Sequence, residues 1–109
     1  MKGKSQMNGI TIKYLQEYLA SKELDFDSKD AFLKLIEEVG ELADAMLRNP
    51  ERATNEVNFK GSIEEELCDV IAICLYIANS YGIDMEKWIP VKEQMHNERW
   101  GNSVVFETR

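Results

Sequence analysis

Two pairs of acidic residues, set in apolar sequence, are the residues of this chain best suited to chemistry. Glu38 and Glu41 form the first pair, and Glu66 and Asp69 form the second. Residues three apart on a helix share a face, with Cβ atoms about 5–6 Å apart. Like charges at that spacing repel each other, by roughly 1 kcal/mol in water and by more at lower dielectric. We therefore expect a positive charge that offsets the repulsion.

A hard divalent cation is the best candidate for that charge, because Mg²⁺ binds carboxylate oxygens and often bridges them to substrate phosphates. Both pairs border apolar positions, Val39 in one segment and Leu67 in the other. If the two segments pack antiparallel, four carboxylates converge beside the core and need a cation or raised pKa values. Di-iron bundles use Glu-x-x-His pairs. The sole histidine, His96, is far from both pairs in sequence, which disfavours iron.

Composition bounds the class of protein. The 109 residues suffice for one domain, and 44% hydrophobic with 30% charged residues is typical of a globular chain. A net charge of −7 argues against nucleic acid and anionic membrane as partners. The chain has neither an apolar run of about 20 residues nor a signal-peptide core, so we expect a cytoplasmic protein. Cys68 and Cys74 are expected to be reduced core thiols.

Hydrophobic periodicity predicts an all-α chain, a bundle of four main helices over about 11–22, 29–48, 62–81 and 84–100. Asp27 or Ser28 is the expected cap of the second helix. Ser62 begins the third, with a capping box, and Gly82 ends it. In the fourth, Trp88 is expected to face inward, and Pro90 either kinks or restarts the helix. The third helix is apolar on more than one side, which indicates a central place or a subunit contact.

The ordered motifs resemble the MazG-like family of all-α nucleoside triphosphate pyrophosphohydrolases. The resemblance rests on Glu38-x-x-Glu41 within 35–45, 24 intervening residues, and Glu66-x-x-Asp69 within 65–70. The turn at 81–84 is also similar, and the likeness extends over roughly 12–100. It implies the four-helix bundle of that family in a single domain over 1–109. From the residues themselves we expect the polar start, 1–9, to be flexible and 101–109 to form an extended tail.

The resemblance also implies an activity. Such enzymes hydrolyse an NTP or dNTP between the α and β phosphates, giving the monophosphate and pyrophosphate with Mg²⁺, for which Mn²⁺ is a possible substitute. Nucleotide-pool housekeeping is the implied role, in a homo-oligomer that is a dimer or a tetramer. Glu37 or Glu38 is the implied residue that orients or deprotonates the water. The implied metal ligands, for one ion or two, are Glu38, Glu41, Glu66 and Asp69.

The family carries a basic and amide group on its last helix, in a K-x-x-x-N-x-x-R/K pattern, that holds phosphates. Lys92, Asn97 and Arg99 are the similar residues here. The position four before Asn97 is Glu93, however, and Lys92 lies one residue off the pattern.

Two alternatives stay open. The first is a phosphoribosyl-ATP pyrophosphohydrolase, which has similar length and chemistry. The second is a non-catalytic, oligomeric helical binding module that retains the acidic site, and the departure at Glu93 is the feature that favours it.

Overall fold

The computed structural model describes residues 9–24, 27–48 and 57–101. Four helices make up this part of the chain: α1 (Ile12–Ser21), α2 (Ser28–Arg48), α3 (Ile63–Ser80) and α4 (Met85–Trp100). No strand occurs among these residues. The predicted all-α fold is confirmed, and the helix ends agree with the sequence pattern to within a residue or two. The predicted flexible start, most of the loop before α3 and nearly all of the extended tail lie outside the described residues.

Side chains cap the starts of α2 and α3. Asp27 accepts a hydrogen bond from the Asp30 amide at 2.9 Å, and Ser62 accepts one from the Glu65 amide at 3.0 Å. Glu65 reaches back in turn, and its carboxylate accepts from the amide of Gly61 rather than from that of Ser62. The bonds from Asp30 and Glu65 satisfy backbone donors that the first helical turn leaves open, and the bond from Gly61 fixes the chain just before α3.

Gly82 ends α3, as the sequence predicts. It adopts a left-handed φ of 67°, which costs a glycine little. The Ile83 amide donates to the Ala78 carbonyl at 2.9 Å, and the Gly82 amide donates to the Asn79 carbonyl at 3.0 Å. These two bonds form a Schellman motif. The chain is thereby turned sharply from α3 towards the start of α4.

α2 and α3 pack as an antiparallel pair. Ser28, the first residue of α2, lies beside Tyr81, just after the end of α3, with 3.4 Å between the two hydroxyl oxygens. Glu38, in the middle of α2, lies instead beside Asp69, in the first half of α3. Later residues of α2 therefore meet earlier residues of α3. This is the arrangement in which both acidic pairs can converge.

α2 has two apolar stripes rather than the single apolar face of a simple amphipathic helix. The stripe against α3 has residues three and four apart that are buried or half-buried: Ala31, Leu35, Glu38, Leu42 and Ala45. The second stripe is between 47% and 55% exposed, and we call it the outer stripe of α2: Phe32, Ile36, Val39 and Met46. Glu38 thus occupies the centre of a packed helix–helix contact, where carboxylates are rare.

The outer side of α3 is open as well. Leu67 and Ile71 are 44% and 48% exposed. Cys68 and Cys74 are free thiols, as predicted, but they are exposed in the single chain rather than part of its core. The prediction that α3 is apolar on more than one side is therefore confirmed, since one side packs and another remains open.

α4 is one continuous helix that passes through Pro90 and packs chiefly against α1. Trp88, which the sequence pattern placed inward, is 48% exposed, with the Lys87 ammonium 4.9 Å from its ring centre. No single helix in the described ranges is both long and apolar enough to cross a membrane. α3 and α4 are long and apolar enough only when taken together, and the angle between them is 106°.

A buried amide pair joins α1 to the α3–α4 turn. The Gln16 side chain donates to Asn79 Oδ1 and to the Ile83 carbonyl, both at 2.9 Å, and accepts from the Met85 amide at 3.0 Å. Asn79 Nδ2 donates back to the Gln16 carbonyl at 3.0 Å. Gln16 is only 8% exposed. Its bonds hold three helices together, so the polar side chain is structural.

Replacing Gln16 by Leu should lower the free energy of unfolding by about 2–4 kcal/mol, because the Ile83 carbonyl and Met85 amide lose their partner inside the protein. Urea denaturation measures this loss. Glu17→Gln, on the exposed side of the same helix, is the control and should stay within about 0.5 kcal/mol of the wild type. Equal stability of the two variants would contradict the structural role.

Candidate metal centre

Three carboxylates meet where α2 crosses the first half of α3. Glu38, Glu66 and Asp69 each offer an oxygen, and these oxygens all lie within 4.8 Å of one another. We call these three residues the acidic cluster. Glu66 and Asp69 share a face of α3 because they are three apart, and the antiparallel packing brings Glu38 onto that face. Glu38 and Glu66 are only 6% and 8% exposed.

Glu41, the fourth predicted ligand, lies at the rim. It is exposed, and the group of converging oxygens does not include it. Its charge nevertheless acts on the cluster: the Glu38 carboxylate is the main cause of the raised pKa of Glu41, and Glu41 in turn helps to raise the pKa of Glu66. The structure thus brings three of the predicted ligands together and leaves the fourth beside them.

Burial and mutual repulsion both disfavour charge in the acidic cluster. The pKa of Glu66 is raised first by burial and then by the charges of Glu41 and Glu38. The pKa of Asp69 is raised first by burial and then by the charges of Glu38 and Glu65. Carboxylates that share a site in this way bind a proton or a cation more readily than isolated ones.

The donor set fits a hard divalent cation. Glu38 Oε1 and Glu66 Oε1 are buried and lack a hydrogen-bond partner in the described part of the chain. An ionised carboxylate can only accept, so neighbouring carboxylates cannot satisfy these atoms. The set consists of carboxylate oxygens, which suit Mg²⁺ or Mn²⁺ better than softer metals. Glu38, Glu66 and Asp69 can therefore hold such an ion, with Glu41 within electrostatic reach.

Sequence reasoning missed Lys34, which pairs with two of the predicted site residues. Its Nζ lies 3.1 Å from Glu37 Oε1 and 3.2 Å from Glu38 Oε2. Glu37, a predicted catalytic residue, is exposed and directed to this ammonium rather than grouped with the converging oxygens. The signal was available, because Lys34 precedes Glu38 by four residues on a predicted helix, and such pairs face each other.

The predicted phosphate-binding residues lie on a different part of the fold. Lys92 and Arg99 line a surface cavity of about 380 Å³ on α4, together with His96, and Asn97 is half-buried. α4 packs chiefly on α1, whereas the acidic cluster belongs to the α2–α3 pair. Lys92 does line the same cavity as Arg99 despite its displacement by one residue from the family pattern.

Comparison with known proteins identifies the family. The MazG nucleotide pyrophosphohydrolase domain matches residues 26–97, a range that holds both acidic pairs. The chain belongs to the MazG family. It is accordingly a nucleotide pyrophosphohydrolase, a hydrolase that acts on acid anhydrides. The resemblance predicted from the two acidic motifs is confirmed, as is the enzyme class.

Two solved structures of iMazG from Vibrio DAT 722 are similar to this MazG chain. The form with an N-terminal tag is 33% identical, with a TM-score of 0.71 over 83% of this chain and 97% of its own. The form with a C-terminal tag is 34% identical, with a TM-score of 0.70 over 81% of this chain and 99% of its own. A search of curated proteins finds no match.

The raised pKa values in this MazG centre predict an unusual pH dependence of stability. A carboxyl whose pKa is higher folded than unfolded favours the protonated native state, so stability falls as the pH rises through that window. The window lies above the ordinary carboxyl pKa of about 4. Without metal, the Tm should therefore rise as the pH is lowered from neutrality towards that ordinary value. Thermal unfolding in a chelator measures this.

Glu66→Gln is the matched variant for that measurement, since it keeps the shape of the side chain and removes its titration. We expect a flatter profile for the variant and a higher Tm near neutral pH. A wild-type Tm that stays constant or falls on acidification over this range would contradict the electrostatic description of the cluster.

Proposed function

We propose that this chain hydrolyses an NTP or dNTP to the monophosphate and pyrophosphate, with Mg²⁺ held at the acidic cluster. One observation carries the proposal: a chain of the MazG family buries converging carboxylates, two of whose oxygens, on Glu38 and Glu66, have no partner in the described residues. Such burial is costly unless a cation offsets it. A net charge of −7 also makes a bound metal valuable for attracting a polyphosphate.

The residues divide into roles by position. Glu38, Glu66 and Asp69 hold the ion, and Glu41 completes its ligands from the rim, for one ion or for two. When bound, Mg²⁺ polarises phosphoryl oxygens and lowers the pKa of a coordinated water. Glu38 would orient the attacking water from within the cluster. Glu37 is the alternative base, although its carboxylate is exposed and 3.1 Å from Lys34 Nζ.

Lys92, Asn97 and Arg99 are the proposed phosphate-binding group. Lys92 and Arg99 are cations on one side of α4 that line one cavity and can pair with phosphate oxygens, and the carboxylate of Glu98 lines the same cavity. α4 packs chiefly on α1 rather than on the α2–α3 pair. These residues would therefore bind the far end of a substrate held at the acidic cluster, either of the same chain or of a second copy. Nucleotide-pool housekeeping remains the proposed role.

Pyrophosphate release from a panel of NTPs and dNTPs with Mg²⁺ tests the reaction. Asp69→Asn should lower kcat/KM by at least about 100-fold, because it removes a charged ligand while keeping the shape. Glu41→Gln should lower it less, since Glu41 lies at the rim. Asp44→Asn is the matched control: Asp44 is an exposed α2 carboxylate that pairs with Arg48, and its loss should leave turnover unchanged.

The panel includes phosphoribosyl-ATP, so that the alternative substrate is tested in the same assay. Release from that compound alone would assign the chain to the phosphoribosyl-ATP pyrophosphohydrolases. Nucleotide and metal binding without any turnover would instead favour the non-catalytic binding module. Turnover that Asp69→Asn leaves intact would reject the acidic cluster as the reaction centre.

We further propose that the protein is a homo-oligomer, a dimer or a tetramer. The outer stripe of α2 consists of large apolar side chains at helical spacing, each about half exposed in the single chain. Leu67 and Ile71 on α3 are further large apolar side chains that are about half exposed. Extended apolar surfaces of this kind are typical of protein–protein contacts. A second copy of the chain would cover the stripe and keep α2 from aggregating.

Ile36→Glu, in the centre of the outer stripe of α2, should shift the protein to a smaller oligomer or a monomer, because it introduces a charge into the proposed contact. Light scattering after size-exclusion chromatography measures the mass. Tyr18→Glu is the control, since Tyr18 is similarly exposed but lies on α1. A monomeric wild type, or an unchanged mass of the Ile36→Glu protein, would contradict the proposed contact.

A further inference from the structure

Lys34 stands in an unusual relation to the acidic cluster. Its Nζ is 3.2 Å from Glu38 Oε2, and Glu38 is almost fully buried. Among the residues that the structure describes, Lys34 is the one cation within ion-pair distance of any cluster carboxylate. The Lys34 ammonium is therefore paired directly with the buried Glu38, whereas Lys60 acts on Asp69 only through its charge, from outside ion-pair distance.

The two oxygens of Glu38 have different surroundings. Oε2 accepts from the Lys34 ammonium, whereas Oε1 is buried without a partner in the described chain. A dication that binds this carboxylate comes close to the ammonium, and the two positive charges repel each other strongly at protein dielectric. Lys34 and the ion therefore compete for the same negative charge. In the absence of the ion, the ammonium is what offsets the burial of Glu38.

Space is available for Lys34 to withdraw from Glu38. Its side chain is 48% exposed and also lines a cavity of about 360 Å³ between α2 and α3, with apolar walls from Leu24 and Ile73. Asp30 lines the same cavity one helical turn before Lys34. An Asp four residues before a Lys is a favourable pair on a helix. A displaced ammonium thus finds solvent and another carboxylate without any movement of the backbone.

We propose that Lys34 is a displaceable counter-ion of the metal centre: it neutralises Glu38 in the metal-free chain, weakens the binding of a divalent ion, and leaves Glu38 when the ion binds. This inference rests on the proposed metal site at the acidic cluster. It makes Lys34 a positioning residue that sets metal affinity. It also explains how the chain stays folded without a metal although carboxylates are buried in the centre of the α2–α3 contact.

Two measurements on Lys34→Met test the proposal, since methionine keeps most of the apolar stem and removes the charge. The metal-free Tm should fall, because Glu38 loses its counter-ion. The affinity for Mn²⁺, measured by calorimetry without nucleotide, should increase by about tenfold or more, because the competing charge is gone. Lys34→Arg keeps the charge and should remain close to the wild type in both. Lys29→Met, on an exposed position of α2, should change neither.

The opposite directions of the two effects separate this role from a merely structural one. A lower Tm with equal or weaker Mn²⁺ binding would overturn the counter-ion role, since it would mean that Lys34 only supports the helix or holds Glu38 in place. If Lys34→Met does not fold, Lys34→Gln is judged by the same two criteria. A wild type that binds no Mn²⁺ at millimolar concentration would reject the metal site itself, and with it the role of Lys34.

Discussion

The burial of Glu38 in the α2–α3 contact is the constraint on which the rest of the site depends. A carboxylate at this position is costly by itself, and Glu66 and Asp69 on the facing helix add to the cost. Hydrophobic packing does not require an acid there, because the other residues of the α2 stripe against α3 are alanine and leucine. The arrangement is favourable only when positive charge is supplied, by Lys34 in the isolated chain and by a divalent ion in the proposed enzyme.

The helices and the acidic cluster were readable from the sequence because they depend on local signals. Spacing at three and four residues predicted the helices, Ser62 and Gly82 predicted the limits of α3, and equal spacing of the acidic pairs predicted their convergence. Two apolar stripes on α2 merged into one broad stripe in the sequence pattern. Deciding which stripe packs requires knowledge of the partner helix, and that information is not local.

The tertiary roles of single polar residues were harder to predict. Gln16 is a polar residue of a short amphipathic helix, a pattern typical of an exposed position, yet it is buried and bonded to residues 63 to 69 positions away. Lys34 is spaced to pair with Glu38 on the same helix, but its position in the sequence does not show that Glu38 is buried beside Glu66 and Asp69. The bonds of Gln16 depend on Asn79, which only the folded chain brings near, and the role of Lys34 depends on the burial of Glu38 against α3. Trp88 was misplaced for a related reason, since α4 contacts little beyond α1 in a single chain.

The antiparallel α2–α3 contact also has a mechanical meaning. The cluster oxygens lie within 4.8 Å of one another, whereas one helical turn advances the chain by about 5.4 Å. Sliding α2 along α3 by a turn would therefore separate Glu38 from its partners, and an ion held by both helices resists such shear. The same geometry limits how the gene can vary in length. Deleting one codon between Ala31 and Glu38 would rotate the Glu38 carboxylate by about 100° away from the contact with α3, while leaving the helix itself intact.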